Sequence, residues 1–94
     1  MQPFELSFLA RAHVRGGLTL FQAPDALAFI EAARAQGVPI LGVETFFLEA
    51  DTIRPQMDHI LDLSGADARC DTWGETHGFI SERSALGYWF EVTL

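Results

Sequence analysis

Two neighbouring stretches decide the fold: PDALAFIEAARAQ at residues 24–36 and ILGVETFFL at residues 40–48. The first has apolar side chains at positions i, i+3, i+4 and i+7, which predicts an amphipathic helix. These side chains are Ala26, Phe29, Ile30 and Ala33. Pro24 suits the first helical turn and Gly37 suits the position after the last one, so the helix is bounded at both ends. The second stretch is apolar at both alternate positions, which predicts a central strand covered on both faces.

Alternation of apolar and polar side chains predicts further strands before and after this pair. Residues 4–14 alternate at period two, which favours a strand, although Leu9 and the nearby alanines also suit a helix. Residues 57–63 alternate as well, and we expect them to pair with the strand at 40–48. Helical spacing of apolar residues is the alternative there too.

The C-terminal third contains one further predicted strand and no long predicted helix. Residues 88–94 are rich in aromatic and β-branched side chains, which is typical of a strand. Gly74 and Gly78 disfavour a long helix between Trp73 and that strand. Near the N-terminus, Gly16-Gly17 predicts a hairpin turn.

Together these elements predict one small α+β domain over residues 1–94. It would consist of a mostly antiparallel sheet of four to six strands with one main helix, residues 24–36, packed on a face. An apolar content of 49% is ample for a core. The single cysteine, Cys70, excludes an intramolecular disulfide and favours a reducing compartment, so we expect a cytoplasmic protein.

The charge of the chain is divided unevenly along its length. Residues 44–94 hold ten carboxylates against three arginines, so this half carries the whole net charge of −7. Such a field attracts cationic partners and repels nucleic acid and anionic membrane. The alternative is a solvated face without a partner. The residues predicted to contact a basic protein are Glu49, Asp58, Asp62, Asp71, Trp73 and Glu75.

A few side chains invite a more chemical interpretation. Glu44 lies in the apolar strand, where it is expected to be exposed at the strand end, to be paired, or to be a buried acid with a raised pKa. A metal site is suggested by Asp58, His59 and Asp62 together with Cys70, Asp71 and His77, but their spacing matches no zinc pattern. We therefore expect no metal, no cofactor and no catalytic residue.

The order of several short motifs resembles predicted immunity proteins of bacterial polymorphic-toxin systems. The motifs are Ala26-Leu27, Ile40-Leu41-Gly42-Val43-Glu44, Asp71-Thr72-Trp73 and Ser84-Ala85-Leu86-Gly87-Tyr88. The resemblance implies an α+β fold and a protein that binds a toxin domain to block it. No site residue is carried over from the resemblance.

The leading hypothesis is therefore a non-enzymatic acidic protein that inhibits a basic toxin or nuclease domain. The second is a homo-oligomeric structural or small-ligand-binding module whose C-terminal strand, 88–94, pairs between subunits. The third is a small enzyme that uses Glu44 with His59 or His77, and it has the least support.

Overall fold

The computed structural model describes residues 3–67 and 69–94, which form a five-stranded antiparallel sheet and three helices. The helices are α1 (Pro3–Leu6), α2 (Ala23–Ala35) and α3 (Thr72–Glu82). The strands are β1 (His13–Arg15), β2 (Leu18–Gln22), β3 (Gly42–Glu49), β4 (Thr52–Asp62) and β5 (Trp89–Thr93). Their order across the sheet is β1-β2-β5-β3-β4. The predicted α+β class is confirmed.

Helix α2 lies where the apolar stripe predicts it. All four stripe residues are buried, and α2 packs on β2, β5 and α3. Gly37 follows the helix with a φ of 68°, a backbone conformation that costs glycine little and other residues more. The core joins Phe29 and Ile30 of α2 to Val43 of β3 and Phe90 of β5.

The predicted strand over residues 4–14 is wrong except at its end. Pro3–Leu6 is helical, Leu9–Arg11 forms a 3-10 turn, and only His13–Arg15 is a strand. Phe4 and Phe8 are four residues apart, and both rings pack on Phe29, with centroids 5.5 and 5.4 Å away. This helical contact outweighs the period-two pattern that the same residues also satisfy.

The expectation that no long helix follows Trp73 is also wrong, because α3 spans eleven residues. The carboxylate of Asp71 caps its first turn by accepting the Gly74 N–H at 2.9 Å. Its buried stripe consists of Thr72, Thr76 and Ile80, spaced four residues apart. Packing of this stripe overrides the low helix propensity of the two glycines.

Strands β3 and β4 form the predicted hairpin, which contains a large irregularity. Glu44 pairs with Ile60 and Phe46 with Pro55, so Thr45 alone faces residues 56–59 of β4. Strand β4 is one edge of the sheet, and its proline and this bulge interrupt the row of backbone groups that another chain could extend.

Strand β5 is confirmed as a strand, but it does not lie at an edge. It sits between β2 and β3, with register pairs to each, so residues 88–94 are not an edge strand of the sheet. The sheet instead ends in β1 and β4. A sequence shows which residues form a strand but not which strands flank it, and the edge assignment failed for that reason.

The sheet is curled so that its first hairpin approaches its far side. The Arg15 guanidinium donates to the backbone oxygen of Asp51 in the β3–β4 turn at 2.8 Å, although two strands lie between β1 and β3. The rings of His13 and Trp89 are 5.6 Å apart across β2.

None of the helices that the structure describes combines the length and the hydrophobicity of a membrane span.

Candidate functional site

The two faces of the sheet differ in what covers them. Val43 and Phe90 point toward α2 and α3 and belong to the main core. Because side chains alternate along a strand, the intervening residues point to the opposite face, here called the outer face. In β3 and β5 these residues are Glu44, Phe46, Trp89 and Glu91.

Two carboxylates stand directly opposite each other on the outer face. Glu44 and Glu91 are register partners in β3 and β5, which places their Cβ atoms about 5 Å apart. Glu44 is exposed and Glu91 is half-buried. The first of the three alternatives for Glu44 therefore holds, and it is not a buried acid.

The environment of Glu91 disfavours its charge. Burial raises the pKa of the Glu91 carboxyl above its ordinary value, and repulsion from Glu44 raises it further. A hydrogen bond from the Thr19 backbone N–H opposes both effects. The ion pairs among residues 3–67 and 69–94 are Arg54–Glu49, Arg69–Asp67 and Arg83–Glu82, so neither Glu44 nor Glu91 is paired with an arginine there.

A third carboxylate lies beside this pair. Asp62 is the register partner of Gly42, two residues along β4 from the partner of Glu44, so its Cα is about 7–8 Å away on the same face. Gly42 has no side chain, and a Cβ there would lie 2.7 Å from the Leu61 carbonyl oxygen. The hollow above it is a cavity of about 320 Å³ lined by Glu44, Asp62 and Thr93 among others. Hydrogen bonds from the Ser64 hydroxyl and N–H lower the pKa of Asp62 and keep it charged.

Aromatic and apolar side chains flank the carboxylates. Phe46 lies next to Glu44 in β3 with Trp89 and Pro55 as register partners, and it is buried. Ile60, opposite Glu44, is exposed. The site therefore combines carboxylates that have no arginine partner among the described residues with apolar surface.

The six residues predicted to bind a partner do not share one face. Asp62 lies on the outer face, whereas Asp71 and Glu75 belong to the first turn of α3 on the helical side. Glu49 lies at the β3–β4 turn, about 23 Å along the hairpin from Asp62 at the usual rise per residue. Asp58 is exposed in the β4 bulge. A single acidic surface spanning all of them is therefore not present.

Several of the predicted contact residues have partners within the protein. The indole N–H of Trp73 donates to the Val38 carbonyl at 2.8 Å, and the side chain packs against the core. Asp71 caps α3, and Glu49 pairs with Arg54 at 3.5 Å. These contacts account for their residue types without a partner protein.

The histidines do not assemble with Glu44. His59 accepts a hydrogen bond at Nδ1 from the Arg83 guanidinium, 3.1 Å away, and its ring lies 5.3 Å from the Tyr88 ring at a tilt of 43°. His77 is exposed on α3, with Nδ1 3.4 Å from the Ser81 hydroxyl oxygen. Among the described residues, no three His, Cys, Asp or Glu side chains are grouped to hold a metal ion.

Sequence reasoning singled out Glu44 and Asp62 but missed Glu91 and Gly42. Glu91 interrupts an otherwise aromatic and β-branched strand, as Glu44 interrupts an apolar one. That shared feature of the sequence could have identified Glu91 as a site residue.

No family model, curated protein or solved structure matches this chain.

Proposed function

We propose that this chain is a non-enzymatic binding protein whose outer face docks a basic surface of another protein. The observation that carries the proposal is the cross-strand pair Glu44–Glu91, which has no cation of its own among the described residues. Asp62 extends the negative charge across β4. Together they define the acidic site: Glu44, Asp62 and Glu91.

The acidic site is unfavourable in the isolated protein. Like charges directly opposite each other in a sheet are destabilising, and burial of Glu91 adds to the penalty. A partner arginine or lysine between the two carboxylates would remove the repulsion and form charge-assisted hydrogen bonds. Binding energy is thus available to a cationic partner and not to a neutral or anionic one.

Within the described residues, no arginine forms an ion pair with the acidic site. Arg15 reaches the β3–β4 turn, Arg54 pairs with Glu49, and Arg83 contacts His59. Their placement leaves the acidic site to a second molecule.

The resemblance to immunity proteins supplies a class for that partner: a toxin or nuclease domain with a basic groove. In this proposal the protein inhibits by occlusion. Three carboxylates on adjacent strands would take the place of nucleic acid phosphates in the groove, and the apolar rim formed by Ile60 and Trp89 would exclude water.

The test is capture of partners from host lysate at low salt, with two double variants that remove the same charge. Glu44→Gln with Asp62→Asn alters the acidic site, and Glu31→Gln with Glu75→Gln alters exposed helical positions. We expect a basic partner that is retained by the wild type and the helical variant and lost by the acidic-site variant. An acidic partner, or equal loss in both variants, contradicts the proposal.

A further inference from the structure

The middle of the sheet contains a gap that the strand order alone does not reveal. Strands β2 and β5 are joined by only two register pairs, Phe21–Phe90 and Gln22–Trp89. Beyond them the strands part, and the Glu91 carboxyl bridges the gap by accepting the Thr19 N–H. A cavity of about 270 Å³ occupies this opening and reaches Phe29 of α2.

The lining of this cavity has two chemical parts. Leu9, Phe21, Phe29 and Val92 make one part apolar, and Glu5 and Glu91 make the other acidic. Among the residues that the structure describes, no arginine, lysine or histidine lines it. A group that enters therefore meets carboxylates at one side and aromatic rings at the other.

We propose that the cavity binds a small organic cation with an apolar body, namely a primary ammonium group on an aryl or branched alkyl substituent. The ammonium would pair with Glu91, and the apolar body would contact Phe21 and Phe29. A volume just below that of drug-sized pockets restricts the guest to a small molecule.

The lining of the cavity disfavours three other classes of ligand: anions, neutral molecules and inorganic cations. An anion would face Glu91 and be repelled. A neutral guest of the same shape would gain the apolar contacts but leave Glu91 half-buried without a counter-charge. An inorganic cation would gain nothing from the apolar lining. The preference for an organic ammonium thus follows from both parts of the lining together.

The site is separate from the proposed docking function although Glu91 contributes to both. Glu44 and Asp62 do not line this cavity, and Leu9 is not on the outer face. Variants at Leu9 therefore test the cavity alone, and variants at Glu44 with Asp62 test docking. Either proposal can fail while the other stands.

The probe is 2-phenylethylammonium, compared with 2-phenylethanol and 3-phenylpropionate as neutral and anionic analogues. Affinities are measured by NMR titration of backbone amides at pH 7. We expect the amine to bind at least about tenfold more tightly than the alcohol, since one charge-assisted contact is worth roughly that factor. The largest shifts should fall on Thr19, Phe21 and Val92.

Two variants make the result decisive. Glu91→Gln should weaken amine binding about tenfold and leave binding of the alcohol unchanged, whereas Glu82→Gln, on an exposed helix end, should change neither. Leu9→Phe should fill the cavity and weaken both probes, with its fold checked by circular dichroism. Equal affinity for amine and alcohol, or undiminished amine binding in both Glu91→Gln and Leu9→Phe, would overturn the proposal.

Discussion

A buried hydroxyl in β3 provides a sharp test of the packing. Thr45 is 1% exposed, and its Oγ1 has no hydrogen-bond partner within the described residues. It lies opposite Phe90 and faces the β4 bulge, where the regular ladder is interrupted. A buried hydroxyl without a partner costs about 1–3 kcal/mol. Valine has the same shape without the hydroxyl, so Thr45→Val should raise the free energy of unfolding by about 1 kcal/mol or more.

The matched control is the same substitution at Thr72, where the hydroxyl is used. Its Oγ1 accepts the backbone N–H of Ile40 at 3.1 Å, and both residues are buried. Thr72→Val would leave that N–H unpaired, which costs about 1–3 kcal/mol. One chemical change should therefore stabilise the protein at one position and destabilise it at the other.

The assay is urea unfolding followed by far-ultraviolet circular dichroism. For a domain of this size, a change of 1 kcal/mol moves the midpoint by roughly 0.5–1 M urea. We expect a higher midpoint for Thr45→Val and a lower one for Thr72→Val, at unchanged slope. A lower midpoint for Thr45→Val would show that its hydroxyl is hydrogen-bonded and that the packing around the bulge is misread.

Two further predictions concern the core and the acidic site. Phe29→Ala should lower the free energy of unfolding by about 3–5 kcal/mol, because Phe29 is 4% exposed and contacts three other phenylalanine rings. The control is Leu41→Ala, which should lower it by under about 1 kcal/mol because Leu41 is 39% exposed. Similar losses in urea melts would show that the core is misassigned. Because the pKa of Glu91 is raised above 4.5, the Glu91 carboxyl binds a proton more tightly in the folded state than in the unfolded state. The contribution of Glu91 to the free energy of unfolding therefore falls as pH rises from about 4.5 through that raised pKa. The stability advantage of Glu91→Gln over the wild type should grow across that window in pH-dependent melts, and a constant difference would contradict the assignment.

The elements predicted correctly are those whose strongest local pattern agrees with the contacts that the element makes. The stripe of α2 fits a helix, and the hairpin of β3 and β4 follows from an apolar run and the alternating run after it, although residues 57–63 also allowed a helix. Phe4 and Phe8 satisfy both a period of two and a period of four, and the choice depends on Phe29, which is distant in sequence. Helix α3 was missed because its buried positions include threonines, whose hydroxyls bond to the Ile40 N–H before β3 or to a carbonyl one turn away.

The core and the candidate site show a related limit. Phe29, Ile30 and Val43 pack together, whereas Leu41, in the same apolar run as Val43, is exposed and Phe47 packs its ring against Tyr88. The charge asymmetry was visible in the sequence, but the pairing of carboxylates across strands was not. That pairing depends on β5 lying between β2 and β3, which local patterns do not encode.

The most direct test of the docking account is where a basic probe binds. A hexa-arginine peptide is titrated at low salt into isotopically labelled protein. It can bind at the acidic site on the outer face or at the acidic first turn of α3, and backbone amide shifts distinguish the two. The account predicts that the largest backbone amide shifts fall on Glu44, Asp62 and Glu91, and that a hexa-glutamine peptide produces none. Largest shifts at Asp71 and Glu75, or shifts spread evenly over both faces, would contradict it.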